Sequence, residues 1–349
     1  MRIEENKALA PLTTLGIGGP ARWFARAASE RDVAEAVQWA RVQRVPLFIL
    51  GGGSNLLVAD HGFEGLVLQV ALEGIARTQD GGAPLYQVAA GEPWDRFVQR
   101  AVDDDCAGIE CLAGIPGTVG GTPVQNVGAY GQEVASTIAC VRAFDCSIEN
   151  FVEFSNAECG FGYRRSRFNT TDRDRFIVTR VDYRLTSGGA PTLRYAELQR
   201  MFAGAPQPRL TEVAEAVRRI RETKGMLLVE GDANCRSAGS FFKNPVVTEE
   251  QAGRIAVVAS QAPPRFPAGS EVASGVKIPA AWLIEQAGFA KGYARGTAAI
   301  SSRHTLALIN RGGATAAEIV ALADEVRDAV ELRFGIRLER EPVLLGFAD

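Results

Sequence analysis

The sequence predicts an α+β protein that holds a bulky phosphate-bearing ligand. Two observations carry this. Strand-like apolar runs and amphipathic helical stretches mix in both halves of the chain, which argues against a single doubly wound sheet. Two glycine-rich segments also follow strand-like runs: Gly51-Gly52-Gly53-Ser54-Asn55 after the apolar run 45–50, and residues 113–133, AGIPGTVGGTPVQNVGAYGQE. The second segment holds Gly114, Gly117, Gly120, Gly121, Gly128 and Gly131, with Pro116 and Pro123 between them. Such glycines let backbone N–H groups turn inward and approach a ligand that side chains would block. Neither segment has a P-loop Lys-Ser/Thr or a regular G-x-G-x-x-G. Ordinary tight turns would explain one such loop; two together point to a cofactor.

The elements follow in order. Ser29 is placed to cap a helix whose Val33, Ala36, Val37 and Ala40 share one face. A strand at 46–50 leads into the Gly51 loop, and a short strand at 66–70 follows. A strand at 85–90 precedes a helix carrying Trp94, Phe97, Val98, Ala101 and Val102, then the 113–133 loop. Residues 176–185 (FIVTRVDYRL) read as a strand with partial alternation. The Gly-, Pro- and Ala-rich stretch 187–208 reads as a boundary. Beyond it the pattern is more helical. Thr211 is expected to open a helix with Val213, Ala216, Val217 and Ile220 on one face, and Thr248 with Gln251 forms a capping-box pattern. A short helix at 279–287 stops at Gly288, with Trp282, Leu283 and Ile284 read as core. Thr315 and Glu318 cap a long helix bearing Ile319, Leu322, Val326 and Val330, ended by Gly335.

Composition narrows the function. At 349 residues, 46% hydrophobic and 23% charged, the chain has room for two or three domains. A net charge of −3 offers no broad basic surface for nucleic acid. Basic residues cluster only locally, at 163–167 (YRRSR) and 218–221 (RRIR), which suits a small anion. No apolar run is long enough to span a bilayer, and the N-terminal stretch has no apolar signal core, so a cytoplasmic protein is expected. Six cysteines without a Cys-x-x-Cys pair and only two histidines, His61 and His304, argue against a zinc site and a Ser-His-Asp hydrolase.

Further short segments carry chemistry. Residues 160–166 (GFGYRRS) place Arg164 after flexible backbone, and 239–245 (GSFFKNP) place the Ser240 hydroxyl between a glycine and two aromatics. Residues 193–198 (LRYAEL) offer Tyr195, and 338–343 (LEREPV) an acidic pair beside an apolar run. Singly, each reads as a solvated loop or turn.

In order along the chain, however, they resemble one family. From Asn6 to Gly346, the segments TLGIGG (14–19), LGGGSNLL (50–57), 113–133, GYR (162–164), GSFFKNP (239–245), AWLIE (281–285) and EPV (341–343) are similar to the UDP-N-acetylenolpyruvoylglucosamine reductases. The resemblance implies a two-subdomain FAD-binding region of the vanillyl-alcohol-oxidase type at 1–72 and 73–206, and a C-terminal α+β substrate-binding domain at 207–349. It implies FAD held by Gly51, Gly52, Gly53, Ser54, Asn55 and Leu56 at the pyrophosphate. Gly114, Gly117, Gly120, Gly121, Thr122, Gln125, Asn126 and Gly128 would lie along the flavin. NADPH is the implied reductant and UDP-N-acetylglucosamine enolpyruvate the implied substrate, taken by a monomer. Arg164 and Glu341 are then the expected stabilisers of the enolate, and Ser240 the proton donor to C2.

Tyr195, Lys224 and Asn244 are the implied substrate-binding residues. The segment 226–236 departs in length and sequence from some family members, and the proline-rich run of some relatives is missing. Two other readings use the same glycines: a flavin oxidase of similar fold, and a non-catalytic flavin- or nucleotide-binding module. The combination of Arg164, Ser240 and Glu341 favours the reductase, and neither histidine lies in a glycine loop for covalent flavin attachment.

Overall fold

The computed structural model describes residues 1–204, 206–267 and 275–347. The chain forms two interleaved compact units. One comprises Met1–Lys7, Ala21–Gly52 and Glu64–Glu222; the other comprises Ala8–Pro20, Gly53–Phe63 and Thr223–Asp349.

The first unit contains two sheets. In the smaller, the strand order is Ile3–Ala8, Pro20–Ala27, Phe63–Val70, Leu47–Leu50, and the last two run parallel. The helix Glu30–Gln43 starts at a capping box formed by Ser29 and Asp32 and buries Val33, Ala36, Val37 and Ala40. The larger sheet is antiparallel, in the order Asn150–Ser155, Ile138–Asp145, Phe176–Arg184, Ala83–Ala89, Ile75–Asp80. On it lies the helix Trp94–Asp103, which buries Trp94, Phe97, Val98, Ala101 and Val102. Phe97 packs 4.9 Å from Tyr183 of the central strand, and the Trp94 indole N–H donates to the Leu112 carbonyl at 3.0 Å. This packing fixes the root of the long glycine-rich loop, which begins directly after Leu112.

The stretch 187–208 is not loop throughout: it contains the helix Ala196–Met201. The next helix, Leu210–Thr223, begins one residue before the expected Thr211. The reason is local. Glu212 accepts from the Arg209 N–H at 2.7 Å, so a first-turn carboxylate holds the backbone at Arg209 and the helix starts at Leu210.

The second unit draws its core from both ends of the chain. Leu15, Ile17 and Leu57 pack with Phe241, Phe242, Leu283, Ile284 and the apolar face of the helix Ala316–Phe334. Trp282 is only partly buried, lying tilted 6.3 Å from Phe334. The strand Leu56–Val58 pairs in parallel with Val343–Leu345. Asp60 accepts from the N–H groups of Ala316 and Ala317 at 2.7 and 3.0 Å, fastening the segment 53–63 to the start of the long helix. Gly53 is required there: its φ is +62°, and a methyl group would lie 1.9 Å from the Leu12 carbonyl oxygen.

Candidate active site

In the second unit, Ser240 and Glu341 lie on paired segments. Phe242 and Arg340 form an antiparallel bridge. The Lys243 N–H donates to Glu339 O at 2.9 Å, and the Glu341 N–H to Phe241 O at 3.0 Å. Ser240 therefore stands one residue from the carbonyl that holds Glu341. Gly239 before it is left-handed, at φ +73°, which turns the chain into this ladder. On the other side of Glu341, the Asn55 Nδ2 donates to its carbonyl at 3.2 Å, and the Val343 N–H donates to Asn55 O at 3.0 Å. The first glycine loop and both candidate proton-handling residues thus form one hydrogen-bonded line. Ser54 and Asn55 are half-buried, and Leu56 is buried at the start of its strand.

Lys224 and Asn244 also belong to this unit. Lys224 is half-buried and precedes Gly225, whose φ of +64° and approach to Asn234 fix the turn. The Asn244 Oδ1 accepts from the Ala280 N–H at 2.9 Å, so half of that amide already serves the helix Ala280–Gln286.

Arg164 lies in the first unit, on a tight turn closed by two backbone bonds between Gly162 and Arg165. Its φ is +55°, a left-handed conformation uncommon outside glycine. Three bonds tie this turn to the long glycine loop. Asn126 Nδ2 donates to Gly162 O at 2.9 Å, Arg164 Nη2 donates to Gly128 O at 2.9 Å, and Ser166 Oγ donates to Val124 O at 2.7 Å.

The glycines divide by cause. A methyl at Gly52 would lie 2.6 Å from Gly117 Cα, so the two glycine loops touch backbone to backbone. Gly51 closes on Thr118 Oγ1, Gly120 on Ala90 and Gly128 on Glu133, each within 3 Å of an added methyl. Gly114 and Gly117 are left-handed, at φ +72° and +122°. Gly121 has none of these reasons. Its φ is not left-handed, and among the described residues no atom lies within 4 Å of an added methyl. That open face, on a loop rich in glycine, fits a bulky cofactor that must approach the main chain closely. Thr122 is used inside the fold, where its hydroxyl bonds Val119 O and the Tyr183 hydroxyl at 2.8 and 2.6 Å. Gln125 is half-buried on the same loop.

Tyr195 stands at the N-cap position of the helix Ala196–Met201 and is 36% exposed. Its ring stands edge-on to Tyr130 of the glycine loop, at 5.1 Å. Tyr130 escapes sequence reasoning, and Arg221 enters it only as part of the 218–221 cluster. Arg221 is only 7% exposed. Its Nε donates to Gly114 O at 3.0 Å; burial lowers its pKa, opposed by its hydrogen bond with Tyr130. The Gly114 N–H donates to Asp95, which also pairs with Arg218 at 2.5 Å. The 218–221 cluster, read as suiting a small anion, here supplies two arginines that clamp the root of the glycine loop. Its helical spacing of three residues was the available signal.

Comparison with known proteins identifies the family. Residues 21–147 match the FAD binding domain model, and residues 231–345 match the UDP-N-acetylenolpyruvoylglucosamine reductase C-terminal domain model. The UDP-N-acetylenolpyruvoylglucosamine reductase of Thermobifida fusca is 46% identical, covering 98% of this chain and 97% of its own. The chain belongs to the UDP-N-acetylenolpyruvoylglucosamine reductase family. The reductase of Streptomyces coelicolor is 47% identical over 97% of this chain and 89% of its own. The crystal structure of the reductase from Thermus caldophilus superposes with a TM-score of 0.68 at 28% identity, covering 99% of both chains. An FAD-binding domain followed by the reductase C-terminal domain is therefore the architecture of this family member.

Proposed function

We propose that this protein catalyses the NADPH-dependent, FAD-mediated reduction of UDP-N-acetylglucosamine enolpyruvate to UDP-N-acetylmuramate in peptidoglycan synthesis. The observation that carries this reading is the hydrogen-bonded line from Asn55 through Glu341 to the segment of Ser240. It occurs in a chain alignable nearly end to end with reductases of that name. Bound FAD would take hydride from NADPH and supply it to the vinyl C3 of the substrate.

The chain's own residues do the rest. Hydride addition at C3 moves an electron pair onto C2 and the carboxylate. Arg164, a permanent cation, is assigned to that developing charge. Glu341 assists it when protonated, by donating a hydrogen bond. Ser240 gives its hydroxyl proton to C2, completing addition of one hydride and one proton; the serine is then reprotonated from solvent. A hydroxyl acts as an acid only against so basic a carbanion, which is why its position matters more than its intrinsic acidity.

In the same proposal, backbone donors of Gly51, Gly52, Gly53, Ser54, Asn55 and Leu56 hold the FAD pyrophosphate. Gly114, Gly117, Gly120, Gly121, Thr122, Gln125, Asn126 and Gly128 border the flavin; for Thr122 and Asn126 the backbone is the available part. Tyr195, Lys224 and Asn244 bind the UDP-sugar. Residues 1–72 and 73–206 would be the two cofactor subdomains and 207–349 the substrate domain; the separate four- and five-stranded sheets support the first division, whereas 8–20 and 53–63 fall in the second compact unit and 207–222 in the first. Among the described residues no helix is long and apolar enough to cross a membrane; the working form we propose is a cytoplasmic monomer.

Anaerobic visible absorbance tests the reaction. NADPH should bleach the bound flavin, and the enolpyruvyl substrate should restore the oxidised band. Recovery only on admitting oxygen would favour an oxidase, and absence of a flavin band after FAD addition would remove the cofactor assignment.

A further inference from the structure

In each unit an asparagine from a glycine-rich loop reaches the backbone beside a proposed catalytic group. Asn126 is 2% exposed and left-handed, at φ +43°. Both of its side-chain N–H groups are spent, on Gly162 O at 2.9 Å and Glu133 Oε2 at 3.1 Å. Its Oδ1 accepts from the Ala135 N–H at 3.1 Å. One lone pair is all that side chain has left for a ligand. From Gly162 the chain runs two residues to Arg164, whose guanidinium returns to Gly128 O, two residues beyond Asn126. The two bonds close a ring between loop and turn, which sets where the cation points.

Asn55 does the equivalent for Glu341. Its amide donates to the Glu341 carbonyl, and its own carbonyl receives the Val343 N–H. With the Glu341 N–H held by Phe241 O, the peptide groups on both sides of the glutamate are fixed, one of them by a cofactor-loop residue.

We propose that Asn126 and Asn55 are positioning residues that make the two glycine loops set the orientation of Arg164 and of Glu341. The inference rests on the proposed reduction of the enolpyruvyl substrate. A displacement of either loop then reaches the reacting groups through two or three hydrogen bonds, and misplacement by an ångström costs about 100-fold in rate.

The test uses full-length holoenzyme and three readouts: FAD affinity by fluorescence, the rate of bleaching by NADPH, and the rate of recovery with substrate. Asn126→Gly keeps the left-handed backbone and removes the side chain; Asn55→Asp keeps the shape and removes the donor. With rates read at saturating FAD, so that any change in cofactor affinity is measured apart, each should slow recovery by about 10–100-fold and slow bleaching clearly less than recovery. Each loss should also vanish in the background that removes its target, Asn126→Gly in Arg164→Ala and Asn55→Asp in Glu341→Gln, because the asparagine acts through that residue.

Losses that add in full to those of the target variants overturn the proposal, as does equal slowing of both half-reactions or an effect on FAD affinity alone. Should Asn126→Gly not fold, Asn126→Asp replaces it, since aspartate tolerates the same backbone. Absence of recovery in the unaltered enzyme would instead remove the reductase reading itself.

Discussion

The two units hold their chemical groups in different ways. In the first, Arg164 sits on a left-handed turn pinned by three bonds to a glycine-rich loop. In the second, Ser240 and Glu341 sit on segments joined by ordinary backbone pairing, with the Phe241 N–H also donating to Leu306 O at 2.7 Å. The difference suits the roles proposed for each group. A guanidinium is always charged, so only its direction needs control, and a strained turn fixed at several points supplies that. A hydroxyl and a carboxyl proposed to pass or hold a proton need their mutual spacing controlled, and a ladder supplies that.

The largest expected effects test this division. Ser240→Ala should slow substrate-driven recovery of the flavin band by about 10²–10⁴-fold, the usual worth of a positioned general acid. Arg164→Ala should cost about 10²–10³-fold in the same step, the worth of one charge-stabilising group. Stopped-flow absorbance should show bleaching by NADPH retained in both. Equal impairment of bleaching in either variant would mean that its unit also serves the reductant, and the division of labour would fail.

Much of each unit is legible in the chain, but unevenly. The helices that begin at Ser29, Thr248 and Thr315 follow from capping boxes that the structure contains. The buried face of the helix Trp94–Asp103 follows from spacing alone. These are local signals, set by hydrogen bonds and faces within a few residues. What the sequence does not show is non-local. Leu15, Ile17 and Leu57 look like parts of the first third of the chain, yet they belong to one core with Phe241, Leu283 and Val326. Nothing near residue 56 announces a parallel partner at 343–345. At the site the motifs mark Asn55, Asn126, Arg164, Ser240 and Glu341. Which motif touches which, and the parts of Tyr130, Asp95 and Arg221, depend on long-range contacts. The glycines teach the same lesson: a motif shows that a glycine is present, and only the packing shows that Gly52 answers to Gly117 whereas Gly121 answers to open space.

That contrast gives an intermediate prediction. Gly52→Ala should destabilise the apoprotein by about 1–3 kcal/mol, since the added methyl meets backbone that must shift. Gly121→Ala should leave apoprotein stability within about 0.5 kcal/mol yet weaken FAD binding. Denaturant melts of the apoprotein and fluorescence titration with FAD separate the two. If Gly121→Ala binds FAD as tightly as the unaltered protein, the open face at that glycine is not where the cofactor approaches.

The smallest effect concerns acid stability of the first unit. The Asp145 carboxylate, 2% exposed, takes hydrogen bonds from Arg175, the closest at 2.7 Å, and from the Ser147 N–H and hydroxyl. Arg175 is the main cause that holds its pKa well below the usual carboxylate range, with burial opposing. A folded pKa below the unfolded value of about 3.9 means the stabilisation is complete above that value and is lost as pH falls through the folded one. Arg175 is partly solvated, with its side chain 44% exposed, so the contribution is about 1 kcal/mol or less. Asp145→Asn should therefore lower the melting temperature at pH 7, and the gap to the unaltered protein should narrow toward pH 3. A gap that stays constant from pH 7 to pH 3 would show that the site matters through packing or hydrogen bonding rather than through its charge.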